Sequence, residues 1–343
     1  MTVHTTLYRK YRPQAFEDVI GQARTVSLIE AALKQGSTGH AYLFYGGRGT
    51  GKTSLARIFA RELGVQSEDM YEIDAASHTG VDHIRELNES TSSLPFNSPY
   101  KVYIIDEVHM LSKSAFNALL KTLEEPPAHV IFMLATTELD KVLDTIISRC
   151  QVMTLDQPSV ETLRELITHV TAQEGIKLSP AAATTIALLG EGSFRDTLGV
   201  LQKVITVSTD KELTDEEIQA VTGAPQMATT QAIMSAIGGK DLESALATVG
   251  QLGRSGVSAQ LLVAQLLHYG RWVLMLRFHP TGAAHLEQEV GPDMAAFLKS
   301  LAGTKGAHLN AAWVARLITI AFDTKRSHLS FLPLELGLIE HLS

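Results

Sequence analysis

Eight residues, Gly46-Gly47-Arg48-Gly49-Thr50-Gly51-Lys52-Thr53, fit the pattern GxxxxGK[ST]. No other stretch constrains the fold as much, because this pattern works only between a buried strand and a helix. Its glycines let successive backbone N–H groups turn inward around an anion, and a helix starting near Lys52 adds the positive end of its dipole. An apolar run, Ala41–Phe44, precedes it, and Leu55, Ile58 and Phe59 mark one face of a helix behind it. The stretch from Gly46 to Ser54 therefore predicts a phosphate cradle. Lys52 would reach the β- and γ-phosphates of ATP, and the Thr53 hydroxyl would ligate Mg2+.

The surrounding pattern agrees with a parallel α/β sheet. Ala41–Phe44, Met70–Ile73, Val102–Ile105, Val130–Ala135 and Gln151–Leu155 are short apolar runs that alternate with helical periodicity, the second helix carrying Ala115, Leu119, Leu120 and Leu123. Strands apolar at nearly every position are buried on both faces, which helices on either side of a parallel sheet provide. Pro126-Pro127 ends the second helix. After residue 155 the strand signals fade. Ser159, Ser179 and Thr214 stand where helix N-caps are wanted. We read residues 1–155 as an α/β nucleotide-binding domain and 156–222 as a small helical domain. Residues 223–343 form an all-helical third domain, with breaks at Gly238–Gly239, Gly253–Gly256 and His279–Gly282.

Val102-Tyr103-Ile104-Ile105-Asp106-Glu107 supplies the second half of a nucleotide site. A buried strand delivers Asp106 to its carboxyl end, where open parallel sheets collect ligands. Asp106 would hold Mg2+ through water, and Glu107 would orient or deprotonate the attacking water. Other features are weaker taken singly. Thr136-Thr137 is a turn or a γ-phosphate contact, while Ser148-Arg149-Cys150 reads as a surface arginine before an edge strand and Gly192–Asp196 as an exposed charge pair on a helix, with any further role left open by spacing alone. Leu94-Pro95-Phe96 is read as apolar packing beneath a polar loop, with docking on a partner as the alternative.

Charge and cysteine content narrow the class further. The formal charge is −8, yet residues 1–60 hold eight Lys/Arg against three Asp/Glu, so any nucleic-acid contact would be local. Cys150 is the only cysteine, which excludes an internal disulfide and a cysteine-based zinc site. No apolar run is long enough to span a bilayer, and the expectation is a cytoplasmic protein without membrane partners.

In this order the pieces resemble the AAA+ ATPases, and within them the gamma/tau family of the bacterial DNA polymerase III clamp loader. The resemblance is carried by Tyr8–Pro13, Val19–Gln22, His40–Phe44, Glu72–Ser77, Ile105–Ser112 and Phe116–Pro127. Ala135–Thr137, Ser148–Cys150 and Gly192–Asp196 extend it to roughly residues 5–222. It implies an ATPase that loads a sliding clamp onto primed DNA within a polymerase holoenzyme, with no polymerase active site in this chain. It also implies that residues 156–222 are a lid and residues 223–343 an oligomerising collar, and that delta, delta-prime and further gamma/tau subunits are partners. By resemblance Thr137, or Thr136 beside it, is the sensor-1 residue and Arg195 the sensor-2 residue. Arg149 is an arginine finger for ATP on a neighbouring subunit. Tyr8, Arg9, Arg12, Pro13, Val19 and Ile20 form the adenine pocket.

Two departures stand out. Relatives carry a four-cysteine zinc module where this chain has only Gly64–Asp69, so no zinc is expected. The segment Ala76–Asp82, often basic in relatives, contains His78-Thr79-Gly80 here, leaving Thr79, Lys113 and Lys121 as candidates for DNA backbone contact. A branch-migration helicase of the same superfamily and a non-hydrolysing ATP-binding scaffold are the competing readings.

Overall fold

Five of the apolar runs become strands: β1 Ala41–Tyr45, β2 Met70–Asp74, β3 Lys101–Asp106, β4 Val130–Thr136 and β5 Gln151–Thr154. They form one parallel sheet in the order β2-β3-β4-β1-β5. The structure, a computed structural model, describes residues 6–36, 38–77, 79–208, 211–279, 281, 286–303 and 307–343. It divides into two compact units, one running to Pro158 with Ser193–Arg195 added, the other comprising Ser159–Gly192 and Asp196–Ser343.

Interior position explains the composition of β1, β3 and β4, which are buried almost throughout. Alternate residues point to opposite faces. Leu43, Tyr103, Ile105, Phe132 and Leu134 meet Ile84, Leu87, Phe116 and Leu119 from the helices Val81–Ser90 and Lys113–Glu124. Tyr42, Phe44, Ile104 and Met133 meet Ile29, Leu55, Ile58 and Phe59 on the other side. β2 and β5 correct the expectation of double burial. They are edge strands, and Glu72, Asp74, Gln151 and Thr154 face water.

In the second unit the three cap residues behave as expected. Ser159, Ser179 and Thr214 accept the backbone N–H groups of Thr162, Ala182 and Glu217, and Glu217 returns a bond to the Thr214 N–H. Helices end at Gly238, Arg254 and Phe278, at the expected breaks; Pro280 and Gly282 lie outside the described residues. A two-residue parallel ladder, Lys177–Leu178 with Glu212–Leu213, was not foreseen, since two residues carry no periodicity. Helices from Met227 to Leu342 share a core around Ile233, Val249, Leu262, Val273, Trp313 and Leu338. No described helix is long and apolar enough to cross a membrane.

Candidate functional site

The parallel sheet brings the carboxyl ends of β1, β3 and β4 side by side, with Tyr45 paired to Thr136. Each end opens into one of the predicted elements. After β1 comes the glycine loop, then the helix Lys52–Glu62. Gly46 N–H bonds to the Thr136 carbonyl at 3.3 Å, pinning the start of the loop to β4. Gly49 has φ +69°, and a Cβ there would overlap the Ser193 hydroxyl, so any larger residue would be strained and would have to displace Ser193. Phe194 N–H bonds to the Gly49 carbonyl at 3.0 Å, which fixes Ser193–Arg195 against the loop.

Lys52 and Thr53 are buried at the helix start. The Lys52 ammonium donates to the carbonyls of Gly46 and Gly47 at 3.0 and 2.9 Å. Burial holds its pKa below the ordinary lysine value, a pull that Glu107 and Asp106 oppose and Arg195 reinforces. The Thr53 hydroxyl donates to Asp106 Oδ2 at 2.7 Å. Thus residues 53 positions apart in sequence form one oxygen pair, the donor chemistry that a small hard cation such as Mg2+ requires. Gly47 and Arg48 are exposed on the loop rim, while Thr50 is buried and bonds back to the Gly47 carbonyl at 2.9 Å.

Glu107 follows at φ +48°, a left-handed conformation that a glutamate adopts only where its surroundings demand it. Its backbone N–H bonds to Asp106 Oδ1 at 3.0 Å, and its Oε2 accepts from the Thr137 hydroxyl at 3.2 Å. Thr137 therefore meets Glu107, whereas Thr136 is wholly buried and bonds to His109. The Arg195 side chain is exposed and lies close enough for its charge to act on Lys52 and Arg12. Arg12 is half-buried, and its pKa is lowered by burial first and by the charge of Arg57 second. Pro13, Val19 and Ile20 are half-buried beside buried Phe16; Tyr8 is half-buried, and Arg9 is exposed with its guanidinium 5.9 Å from the Tyr8 ring centroid.

Arg149 does not join this cluster. It bonds to Glu124 Oε1 at 2.5 Å and to the Thr145 carbonyl at 2.7 Å, in a turn after the short helix Asp144–Ile147. Lys113, Lys121 and Thr79 are exposed; His78 lies outside the described residues. Leu94 and Phe96 overturn the expectation of packing beneath their loop, each being 76% exposed. The loop is held instead by buried Asp69, which accepts the N–H groups of Phe96, Asn97 and Ser98. Sequence reasoning gave no role to Ser193 or His109. Only the spacing Asp-Glu-x-His pointed to the second, and nothing local pointed to the first.

A family model described as DNA polymerase III, delta subunit matches residues 64–159. The chain is 38% identical over 298 residues to DNA polymerase III subunit tau of Bacillus subtilis, covering 81% of this chain and 53% of that protein. It is 34% identical over 296 residues to DNA polymerase III subunit gamma of Buchnera aphidicola, covering 80% of each. It therefore spans about half the length of the tau relatives. Among solved structures, the Thermotoga maritima RuvB Holliday junction branch migration motor superposes with a TM-score of 0.53 at 23% identity, over 70% of this chain and 85% of that one. At that identity the likeness speaks for the AAA+ fold alone.

Proposed function

The chain belongs to the gamma/tau family of DNA polymerase III subunits, and from that premise we propose that it is an ATPase subunit of a clamp loader, working in the cytoplasm with other clamp-loader subunits, a sliding clamp and primed DNA. The observation that carries the ATPase reading is the 2.7 Å bond from Thr53 to Asp106, which makes the loop and the acidic strand end one site. Thr53 and Asp106 would hold Mg2+, which when bound supplies charge that offsets the phosphates. Lys52 and the loop amides bind the β- and γ-phosphates, and Arg195 lies beside them. Glu107 orients the attacking water and accepts its proton, with Thr137 holding its carboxylate. Arg12, Pro13, Val19 and Ile20 flank the adenine.

Arg149, bonded away from these groups, fits a role on the ATP of a neighbouring subunit, where a guanidinium neutralises charge developing in phosphoryl transfer. Exposed Ile318 and Phe322, with Leu332, Leu336 and Ile339 on the last helix, give residues 223–343 an apolar surface suited to assembly. The branch-migration alternative is less well supported, because no strand lies among the described residues after Leu213, where a winged DNA-binding domain would need one.

The test is phosphate release by the assembled chain with and without clamp and primed DNA. Wild type should be stimulated by both. Arg149→Ala should bind ATP normally and lose the stimulated turnover. Full turnover in that variant would overturn the trans role, and absence of turnover in wild type would favour the scaffold reading.

A further inference from the structure

The His109 side chain is 6% exposed and lies between two carboxylates, and no step above uses it. Its Nδ1 is 3.0 Å from Thr136 Oγ1 and 3.5 Å from Glu107 Oε2. Its Nε2 is 3.3 Å from Glu138 Oε1, and Glu138 Oε2 in turn pairs with Lys141 at 2.7 Å. Thr136 Oγ1 also accepts the Glu138 N–H at 3.0 Å and lies 3.2 Å from the Glu138 carbonyl. Its hydroxyl and the ring therefore share a hydrogen bond within one network that includes the backbone of Glu138. The same ring nitrogen faces the Glu107 carboxylate. The ring thus ties the left-handed Glu107 to the loop that leaves β4.

The loop leads somewhere specific. Thr136 ends β4, Leu139–Lys141 makes one helical turn, and Asp144–Ile147 follows directly before Arg149. We propose that His109 is a positioning residue that couples the Glu107 carboxylate to the segment 136–141, so that the placement of this segment at a subunit contact sets whether Glu107 can act. The proposal rests on the ATPase reading and deepens it. Thr137 and His109 hold the same oxygen of Glu107 from two sides, one from the strand end and one from the turn after β3. Moving the segment would pull on both. A carboxylate displaced by about 1 Å from its working position loses on the order of 100-fold in rate.

The experiment uses the full chain assembled with its partner subunits, with kcat from phosphate release and affinity from equilibrium binding of a fluorescent ATP analogue. His109→Phe should lower kcat by about 10- to 100-fold while analogue affinity stays within about twofold. His109→Asn, whose amide can stand where Nδ1 stands, should recover most of the rate. His109→Gln, which reaches toward Glu138 instead, should not. In a Glu107→Gln background, His109→Phe should add no further loss, because its effect passes through Glu107. Circular dichroism checks that each variant folds, and the Asn and Gln pair decides the matter if the Phe variant does not. Wild-type kcat in His109→Phe, equal rates for Asn and Gln, or a full additional loss on top of Glu107→Gln would each overturn the proposal. A Glu107→Gln variant that turns over at the wild-type rate would instead overturn the role given to Glu107, and absence of turnover in wild type would overturn the ATPase reading itself.

Discussion

Replacing Gly49 with alanine separates two penalties that the glycine loop otherwise hides in one residue. The first is conformational: at φ +69° an L side chain is disfavoured by roughly 1–2 kcal/mol. The second is steric, since the new Cβ would overlap the Ser193 hydroxyl and stand 3.0 Å from Ser193 Cβ. Displacing a packed neighbour adds about 1–3 kcal/mol. Gly36 is the natural control, with φ +62° and nothing within 4 Å of an added Cβ. Gly36→Ala should therefore cost roughly 1–2 kcal/mol and Gly49→Ala roughly 2–5 kcal/mol, read as lowered midpoints in calorimetry of the full chain.

A third variant isolates the overlap. Adding Ser193→Ala to Gly49→Ala removes the hydroxyl and leaves φ unchanged, so it should return about 1 kcal/mol or more. ATP affinity, by titration calorimetry, should fall for Gly49→Ala and stay unchanged for Gly36→Ala. Equal destabilisation by the two alanines, or no recovery on removing the Ser193 hydroxyl, would refute the claim that Ser193 shapes the loop.

Three other outcomes follow from particular surroundings. Leu94→Ser with Phe96→Ser should leave the thermal midpoint within about 1 °C, because both side chains are already exposed, yet weaken clamp binding measured by surface plasmon resonance. Unchanged clamp affinity would leave that loop without a docking role. Burial pushes the Cys150 thiol up to about 12, so thiol reagents should react slowly at pH 8 until denaturant is added. Because the folded value is raised, Cys150 lowers stability as pH climbs from about 9 towards 12, and Cys150→Ala should flatten that limb. In the second unit, burial lowers His268 to about 4, with the charges of Arg271 and Arg164 adding to the effect, while burial raises Glu289. Both shifts favour a neutral pair despite a 3.4 Å separation. The depressed histidine gives stability that is present above pH 6.5 and lost as pH falls towards 4. Trp272, which donates to Glu289 at 3.1 Å, provides the probe. Its emission in urea should report earlier unfolding at pH 5 than at pH 7, and His268→Gln should shrink the difference.

What could be read from the chain divides along a physical line. The three interior strands announced themselves because burial on both faces leaves only apolar side chains, and their ends carried Gly46, Asp106 and Thr136 to one place because parallel strands share a direction. Helix caps were equally legible, since Ser159, Ser179 and Thr214 act on residues three positions away. The edge strands misled, because nothing local says which strand lacks a neighbour. Leu94 and Phe96 misled for a related reason. An apolar pair in a loop ordinarily packs beneath it, and what keeps this pair outward is Asp69, some 27 residues earlier, gathering three backbone N–H groups of the same loop.

Least legible were the groups that complete the site without touching a phosphate. Ser193 confines Gly49 from 144 positions away in the chain, and His109 acquires its meaning only when β4 delivers Thr136 and Glu138 to its two nitrogens. Neither residue type is diagnostic by itself, since serine before a helix is ordinarily a cap and histidine after an acidic pair ordinarily faces water. The left-handed backbone of Glu107 is the sign that these contacts matter. A glutamate at φ +48° carries roughly 1–3 kcal/mol of strain, which its bonds to Asp106 and Thr137 and its 3.5 Å contact with His109 help to offset. The orientation of the Glu107 side chain is thus shaped by Thr137 at the end of β4 and by His109 in the turn after β3, and the motif alone supplies the carboxylate without it.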